Sequence, residues 1–216
     1  MGFFNTILDL IFPVNCVSCN KSGEILCLKC ISNFPIAERE TNKWIFALYD
    51  YRHPPIKKAV WLLKYKGKKK IAEIFAESLY GKINEELSDL SIFENFRNPI
   101  LIPIPLSKTR LRERGFNQTE LICKELIKLD TEKIFTLERN ILIKIKETEH
   151  QARIRNRKQR LENLIGTFGV INENKIKDRN IILIDDVTTT GSTLNEARKI
   201  LKNAGAKKVI AFTLAH

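Results

Sequence analysis

Several features that would assign a function at once are missing from this chain of 216 residues. No apolar run approaches the ~20 residues of a membrane-spanning helix, so a transmembrane protein is not expected. The first twelve residues are apolar but lack the basic start and the small-residue cleavage site of a secretory signal, which favours a cytoplasmic protein. There is no internal repeat or low-complexity segment. Neither the Walker loop nor the Gly-x-Gly-x-x-Gly dinucleotide fingerprint occurs, which excludes two common glycine-rich phosphate loops.

The most informative stretch present is residues 181–193, where an apolar run is followed by acidic and then hydroxyl residues. Four consecutive apolar residues at 181–184 are typical of a strand that is buried on both faces. Asp185 and Asp186 follow at the carboxyl end of this strand, where open parallel sheets collect their ligands. The next residues suit a phosphate, because hydroxyl and N–H groups there enter a helix: Thr189, Thr190, Gly191, Ser192 and Thr193. The alternative is a buried strand followed by helix-capping residues without any ligand.

This stretch resembles the signature of type I phosphoribosyltransferases, which use phosphoribosyl pyrophosphate (PRPP). The resemblance implies that residues 189–193 hold the 5′-phosphate and that Asp185 and Asp186 act as catalytic carboxylates on the ribose hydroxyls. It also implies a Mg²⁺ ion that bridges ribose and pyrophosphate. For the dense pyrophosphate anion, the basic residues after the strand predicted at 100–104 are the candidates: Lys108, Arg110 and Arg114. A polar, Arg-rich loop at 148–160, with Gln151 and Arg160, is the candidate for closing over the site.

The four cysteines near the N-terminus form a second constellation: Cys16, Cys19, Cys27 and Cys30. Two Cys-x2-Cys pairs separated by seven residues are the usual spacing of a four-thiolate zinc site, so structural zinc is predicted. Disulfides are the weaker interpretation in a chain without a secretory signal. A closed site of this kind leaves no position for a substrate, and no catalysis is assigned to it. The fifth cysteine, Cys123, is predicted to be a small core residue within a helix.

The net charge of +12 is concentrated in three basic clusters, at 57–70, 108–114 and 153–160. Such clusters attract polyanions, which are here a phosphorylated substrate, nucleic acid or an acidic membrane surface. Aromatic residues interleave with the first cluster, and aromatic rings beside basic grooves hold single strands of nucleic acid. The helical spacing of Trp61 and Tyr65 nevertheless favours packing of both rings into the core. The solvated face of a lysine-rich protein remains the alternative for the charges.

Strand-like and helix-like segments alternate along the chain, which predicts an α/β protein with a parallel sheet. Strands are predicted at 43–53, 100–104, 181–184 and 209–214, and helices at 54–65, 69–87, 117–128 and 193–203. Residues 141–160 show no clear pattern. An N-terminal amphipathic helix is expected to pack on the cysteine module, with contact to a membrane surface as the alternative.

Motifs in a fixed order over nearly the whole chain are similar to those of the ComF family of phosphoribosyltransferase-like proteins. They are the Cys-x2-Cys pairs, Leu-Lys-Tyr-x-Gly at 63–67, Pro-Ile-Pro-Leu-Ser at 103–107, Arg-Gly-Phe-Asn-Gln at 114–118, Thr-x-x-Gln at 148–151, Arg-x-x-Asn at 160–163, Phe168 and the 181–193 stretch. The resemblance implies a type I phosphoribosyltransferase fold, with a parallel sheet, flanking helices and a hood, at 36–216, and a zinc module at 1–35. It further implies binding of PRPP with Mg²⁺ and of single-stranded DNA, in support of DNA uptake during natural transformation. Partners would include the DNA-uptake machinery at the inner face of the membrane.

Two other functions stay open at this stage, and the sequence does not decide whether the chain is an enzyme. One is an active phosphoribosyltransferase that transfers phosphoribose from PRPP to a small nitrogenous acceptor. The other is a non-catalytic scaffold that senses PRPP. Glutamine-dependent amidotransfer is disfavoured, because no cysteine follows the initiator methionine and no glutaminase domain is present.

Overall fold

The computed structural model of the chain describes residues 14–38, 42–67, 69–146 and 166–216. Two predicted features lie outside these residues, namely the N-terminal helix and the closing loop at 148–160 with Gln151 and Arg160. Where the chain is described, no helix combines the length and the apolar character that a membrane span requires.

The helices and strands of the described chain follow one another in an alternating order. They are α1 (Leu28–Ile31), β1 (Ile45–Tyr49), α2 (Pro54–Lys66), α3 (Lys69–Glu94), β2 (Ile100–Pro103), α4 (Lys108–Arg114), α5 (Gln118–Leu129), β3 (Thr136–Leu137), β4 (Leu142–Lys144), β5 (Phe168–Val170), β6 (Asn180–Val187), α6 (Ser192–Asn203) and β7 (Lys208–Ala215). A single 3-10 turn at Glu173–Lys175 precedes β6.

Five strands form one sheet in the order β1-β7-β6-β2-β3, and every neighbouring pair is parallel. The register places Ile184 of β6 beside Phe212 on one side and Pro103 on the other. A separate antiparallel pair joins β4 to β5. The prediction of an α/β protein with a parallel sheet is therefore confirmed, and the carboxyl ends of β2, β6 and β7 lie at the same edge.

Both faces of the sheet are covered, because alternate residues of β6 and β7 enter two different buried clusters. Ile182 and Ile184 belong to the cluster that includes α3, whereas Ile181 and Leu183 belong to the cluster that includes α6. All four side chains are fully buried. The continuous apolar run in the sequence is explained by this double burial.

The cysteine-containing segment shares the first of these clusters with the sheet-covering helices. Cys16, Cys27 and Ile31 are buried in the same cluster as Ile56 and Phe75. The segment thus packs on the larger body of the protein, and the division of the chain after residue 35 stays a prediction.

Several predicted boundaries differ from those observed. The strand predicted at 181–184 continues through both aspartates to Val187, because Asp185 and Val187 still pair with β7 at Thr213 and Ala215. The helix predicted at 69–87 is α3, which ends at Glu94 rather than at residue 87. The short helix α4 and the strands β3, β4 and β5 were not predicted. They are two to seven residues long, which is too short for a periodic pattern to reveal them.

Candidate functional site

A cleft of about 210 Å³ opens at the carboxyl edge of the sheet, between the end of β6 and the helices α2, α4 and α5. Its charged lining residues are Lys64, Arg110, Arg114, Lys144, Asp185 and Asp186. The predicted aspartate pair is therefore found together with two of the three basic residues predicted for pyrophosphate. The third, Lys108, is exposed at the first position of α4 and does not line the cleft.

Asp186 is the most constrained side chain of the cleft. It is 5% exposed, and both of its carboxylate oxygens have partners. Lys64 Nζ lies 2.9 Å from Oδ1, and Gln118 Nε2 donates to Oδ2 at 2.5 Å. Burial alone would lower the pKa of the Lys64 ammonium, but the charge of Asp186 outweighs it, and the pKa of Lys64 is raised. The ammonium of Lys64 is therefore held in its charged form beside this carboxylate.

Asp185 lies in a different environment from its neighbour. Burial, together with the charge of Asp186, raises the pKa of Asp185 to about 7. Its Oδ1 accepts a hydrogen bond from the Asp186 amide at 2.8 Å, which fixes the carboxylate against the backbone. A carboxyl group whose pKa is raised towards neutral pH is a feature that is concentrated at functional sites.

The hydroxyl-rich loop after β6 has the geometry that an anion requires. Gly191 has φ +68° and precedes α6, and a Cβ there would meet Ile45 Cδ1 at 3.2 Å, so glycine suits both the conformation and the space. Because glycine offers no side chain, the first amides of α6 receive no side-chain cap. The hydroxyls of Thr190 and Ser192 are 2.5 Å apart, and Thr193 lines the cleft. Amides without a side-chain cap, hydroxyls and the positive end of a helix dipole therefore meet beside Asp185.

The loop is held from behind by the ends of neighbouring elements. Thr189 lies at its exposed start, where the carbonyl oxygen is 3.0 Å from His216 Nε2. Thr188 donates its amide to the Ala215 carbonyl at 3.0 Å. The carboxyl end of β7 thereby positions the five predicted loop residues.

The basic wall of the cleft comes from α4, which begins after Ser107. The Ser107 hydroxyl accepts from the Arg110 amide at 3.4 Å as a helix cap. Arg114, one turn further on, donates to Gln118 Oε1 at 3.0 Å, and its guanidinium lies 4.9 Å from the centre of the Tyr65 ring. Arg110 and Arg114 thus line the same cleft as the aspartate pair.

Three residues of the cleft were missed as site residues by sequence reasoning: Lys64, Gln118 and Lys144. Lys64 was counted only within a basic cluster, although it belongs to the quoted motif at 63–67. Gln118 ends the quoted motif at 114–118 and lies 68 residues from Asp186 in sequence. The motifs could have indicated both residues, whereas nothing in the pattern around Lys144 could have done so.

The four N-terminal cysteines converge on one point, as their spacing predicts. All four Sγ atoms lie within 4.8 Å of one another, and Cys27 Sγ is 3.7 Å from both Cys16 Sγ and Cys19 Sγ. A tetrahedron with Zn–S bonds of about 2.3 Å places its sulfurs about 3.8 Å apart, whereas disulfide sulfurs bond at about 2 Å. The cluster is therefore consistent with a zinc site. Cys123 lies apart from it, fully buried in α5.

The thiols of this cluster differ in how readily they ionise. A backbone hydrogen bond from Cys30 lowers the pKa of Cys27, but hydrogen bonds with the neighbouring sulfurs, together with burial, outweigh it and raise this pKa to about 12. Burial opposes ionisation of Cys16, but backbone N–H groups of the knuckle outweigh it and lower its pKa to about 6. Cys27 also donates its own amide to Cys16 Sγ at 3.5 Å. Because metals bind the thiolate rather than the thiol, these amides favour coordination.

Two aromatic rings near the cleft are exposed, so the prediction that they pack into the core is wrong. Trp61 and Tyr65 are each 49% exposed, because α2 buries the opposite face through Ile56, Val60 and Leu63. The two ring centres are 5.7 Å apart. Lys66 Nζ lies 6.0 Å from the Trp61 ring, and Arg114 covers Tyr65. We call the surface formed by Trp61, Tyr65 and Arg114 the aromatic platform.

Comparison with known proteins finds a matching domain family and relatives that are named as competence proteins. The phosphoribosyl transferase domain family matches residues 138–216, which include the aspartate pair and the hydroxyl loop. Competence protein F of Haemophilus influenzae is 36% identical over 117 residues, covering 53% of this chain and 49% of that protein. Competence protein ComFC of Bacillus subtilis is 31% identical over 169 residues, covering 78% and 62%. The chain thus spans about half of the length of the first relative and less than two thirds of the length of the second.

Two further matches are a more distant relative and a solved structure. The DNA utilization protein YhgH of Escherichia coli K12 is 26% identical over 193 residues, or 87% of this chain and 76% of that protein. A solved hypoxanthine phosphoribosyltransferase from Trypanosoma cruzi overlaps 67% of this chain and 64% of its own, with 11% identity and a TM-score of 0.39. An overlap this loose supports no conclusion.

Proposed function

The chain belongs to the ComF/ComFC family of competence proteins, which carry a phosphoribosyltransferase domain, and we propose that it binds PRPP with Mg²⁺ and single-stranded DNA in support of DNA uptake. The observation that carries the proposal is the junction of β6 and α6. There an acidic pair stands beside uncapped helix amides at the open edge of a parallel sheet. The relatives named for competence and for DNA utilization support the biological role.

In this proposal each wall of the cleft binds one part of PRPP. The amides and hydroxyls of residues 189–193 hold the 5′-phosphate, and Asp185 and Asp186 orient the ribose hydroxyls. Arg110 and Arg114 face the pyrophosphate, with Lys108 as a further cation at the rim. When bound, Mg²⁺ would neutralise part of the pyrophosphate charge. Fixed positive groups opposite a leaving pyrophosphate are what a phosphoribosyl transfer needs, so the same cleft suits binding or turnover.

Turnover is the second candidate, and its acceptor would be a small nitrogenous compound. The observation that favours it is the raised pKa of Asp185, because proton transfer from an acceptor nitrogen needs a group that titrates near neutral pH. Release of pyrophosphate from PRPP on addition of the acceptor would establish it. A non-catalytic PRPP sensor would bind PRPP and release nothing.

PRPP with Mg²⁺ is expected to stabilise the protein through this cleft. At a PRPP concentration about 100 times the dissociation constant, the gain is about 2.7 kcal/mol, or roughly 5–10 °C in the midpoint of thermal unfolding. The double variant Asp185→Asn/Asp186→Asn should lose this shift, whereas Asp178→Asn, an exposed acid outside the cleft, should keep it. Thermal scans with and without PRPP make the comparison. An equal shift in wild type and in the double variant would contradict PRPP binding at the acidic pair.

We place the single-stranded DNA on the aromatic platform, next to the PRPP cleft. Unstacked bases pack on exposed aromatic rings, and the lysines at 57, 58 and 66 offer charges for the phosphates on the same helix. Tyr65 also lines the cleft, so a strand lying on the platform would reach its mouth.

Removal of the platform rings is expected to weaken binding of a fluorescent oligonucleotide. Stacking is worth about 1–3 kcal/mol per base, so Trp61→Ala/Tyr65→Ala should raise the dissociation constant at least ~10-fold with little change in the salt dependence. Phe93→Ala removes another aromatic ring, which is 80% exposed at the end of α3, and serves as the matched control. Fluorescence anisotropy at two salt concentrations measures both quantities. Equal affinities for both variants would place the DNA elsewhere on the protein.

The cysteine cluster completes the proposal as a structural zinc site, with Cys16, Cys19, Cys27 and Cys30 as its four ligands. All four ligands come from the protein, so the ion would hold the fold and perform no chemistry. We further propose that the protein works in the cytoplasm, at the inner face of the membrane, where incoming DNA would arrive.

A further inference from the structure

We infer that Lys64 is the internal counter-ion of the acidic pair, and that it keeps divalent cations from binding there until PRPP arrives. The inference rests on the proposed function, because it concerns the order in which metal and PRPP enter the same cleft. Lys64 belongs to the quoted motif at 63–67, but no role in the site was predicted for it. Its place follows from its contacts alone.

The contact between Lys64 and Asp186 is close and shielded from solvent. The two atoms are 2.9 Å apart, and the side chains are 21% and 7% exposed. Several surface lysines pair with acids on their own helix, as Lys70 does with Glu73 and Lys128 with Glu125. Lys64 instead reaches from α2 to β6. A shielded pair between separate elements is screened little by salt and holds one geometry.

The second oxygen of Asp186 is occupied as well, which leaves this carboxylate no free acceptor on its inner side. Gln118 donates to it and in turn accepts from Arg114. The chain of contacts Lys64–Asp186–Gln118–Arg114 therefore links α2, β6, α5 and α4. A cation entering the cleft meets a carboxylate whose charge is already neutralised.

The backbone around Lys64 is arranged to present it there. α2 ends at Lys66, and Gly67 follows with φ +55° as the left-handed helix stop. A Cβ at Gly67 would meet Phe116 Cε1 at 3.0 Å, so the end of α2 packs closely against the connection between α4 and α5. This packing fixes the last turn of α2, which carries Lys64, over the carboxyl end of β6.

The consequence is a conditional metal site. With Lys64 in place, Asp186 contributes no net charge, and Asp185 alone is a weak attraction for a free divalent ion. PRPP brings two phosphate groups that bind Mg²⁺ themselves, so the ion enters as part of the ligand. Replacing Lys64 by an uncharged side chain removes the ion-pair partner of Asp186, and the two adjacent carboxylates then attract a divalent cation more strongly in the absence of PRPP.

Titration of the PRPP-free protein with Mn²⁺, followed by electron paramagnetic resonance, tests this. Lys64→Met is expected to bind one Mn²⁺ about 10- to 100-fold more tightly than wild type, because a neighbouring positive charge has been removed. Lys58→Met, the same change at an exposed position of α2, should behave as wild type. Lys64→Arg keeps the charge and should also behave as wild type. Adding Asp186→Asn to Lys64→Met should abolish the gained site.

Equal Mn²⁺ affinities for wild type and Lys64→Met would overturn the inference, and so would tight binding to PRPP-free wild type. If Lys64→Met does not fold, Lys64→Gln with Lys64→Arg provides the same comparison. The thermal shift of wild type with PRPP is measured separately. A normal shift combined with unchanged Mn²⁺ affinity would refute the counter-ion role alone, whereas no shift would refute the PRPP site itself.

Discussion

Removal of metal from the cysteine cluster is expected to lower the midpoint of thermal unfolding by about 10 °C or more. Structural zinc supplies on the order of 10 kcal/mol or more to isolated zinc modules, and only part of this is needed here because the segment also packs on the main body. A strong chelator or Cys27→Ser should produce the effect. Cys27 is 3% exposed, and its Sγ lies closest to two of the other three sulfurs.

The large expected fall in the unfolding midpoint follows from how few other interactions stabilise residues 14–38. Residues 14–38 contain one helix of four residues and two isolated bridges, whereas Leu26 and Ile31 are almost fully buried. Without the ion, these side chains lose the turns that bury them, and the cluster shared with Ile56 and Phe75 opens at one edge.

Zinc content per chain and protease cleavage within 14–38 are the measurements that accompany the thermal scan. Cys123→Ala is the matched control, because it removes a buried thiol that lies outside the cluster. It should keep one zinc per chain and resist cleavage. A Cys27→Ser protein with unchanged zinc content and midpoint would disprove the structural role.

The sequence predicted the part of the site that depends on consecutive residues. The apolar run at 181–184, the two aspartates and the hydroxyl loop occupy one strand–loop–helix unit, whose geometry follows from local rules of burial and capping. The same holds for the cysteines, since two residues between a pair are enough to place both thiols on one ion.

The partners of Asp186 depend instead on how separate elements pack. Lys64 and Gln118 are brought to it by α2 and α5, from distant parts of the chain. The motifs at 63–67 and 114–118 contain both residues, but no local pattern encodes the contact itself, because it depends on how the helices pack on β6. The sequence therefore predicted the excess of positive charge near the site, but not which lysine contacts Asp186.

The error at Trp61 and Tyr65 has a different origin. Buried positions on α2 are Ile56, Ala59, Val60 and Leu63, which follow helical spacing. The two aromatic residues fall outside this stripe, so the helical period itself predicts their exposure. Their apolar character was given more weight than their position, although only position decides which face of a helix is buried.

Asp185→Asn is expected to stabilise the PRPP-free protein at pH 8 and to have little effect near pH 4. The pKa of Asp185 is raised from 3.8 in the unfolded chain to about 7 in the folded protein. Such an acid favours folding below its unfolded-state pKa, and this contribution is lost as pH rises through the folded-state pKa. Asparagine does not ionise, so the variant loses no stability from this position as the pH rises. The difference between variant and wild type should grow from pH 4 to pH 7, to about 2–4 kcal/mol.

Denaturant unfolding at pH 4, pH 6 and pH 8 measures this difference directly. Asp178→Asn, the same change at an exposed position outside the cleft, serves again as the control. A constant difference between Asp185→Asn and wild type would show that Asp185 ionises normally in the folded protein.

A stabilising loss of Asp185 would also bear on function. An ionised acid that weakens the free protein is retained where a ligand compensates for its charge, because the energy lost in the empty cleft is recovered on binding. The same Asp185→Asn protein should therefore be more stable alone at pH 8 and gain less from PRPP with Mg²⁺. Higher stability of the PRPP-free variant together with a smaller PRPP shift would identify Asp185 as a residue of the ligand site. Higher stability with an unchanged PRPP shift would show that Asp185 is a destabilising acid beside the cleft without a role in binding.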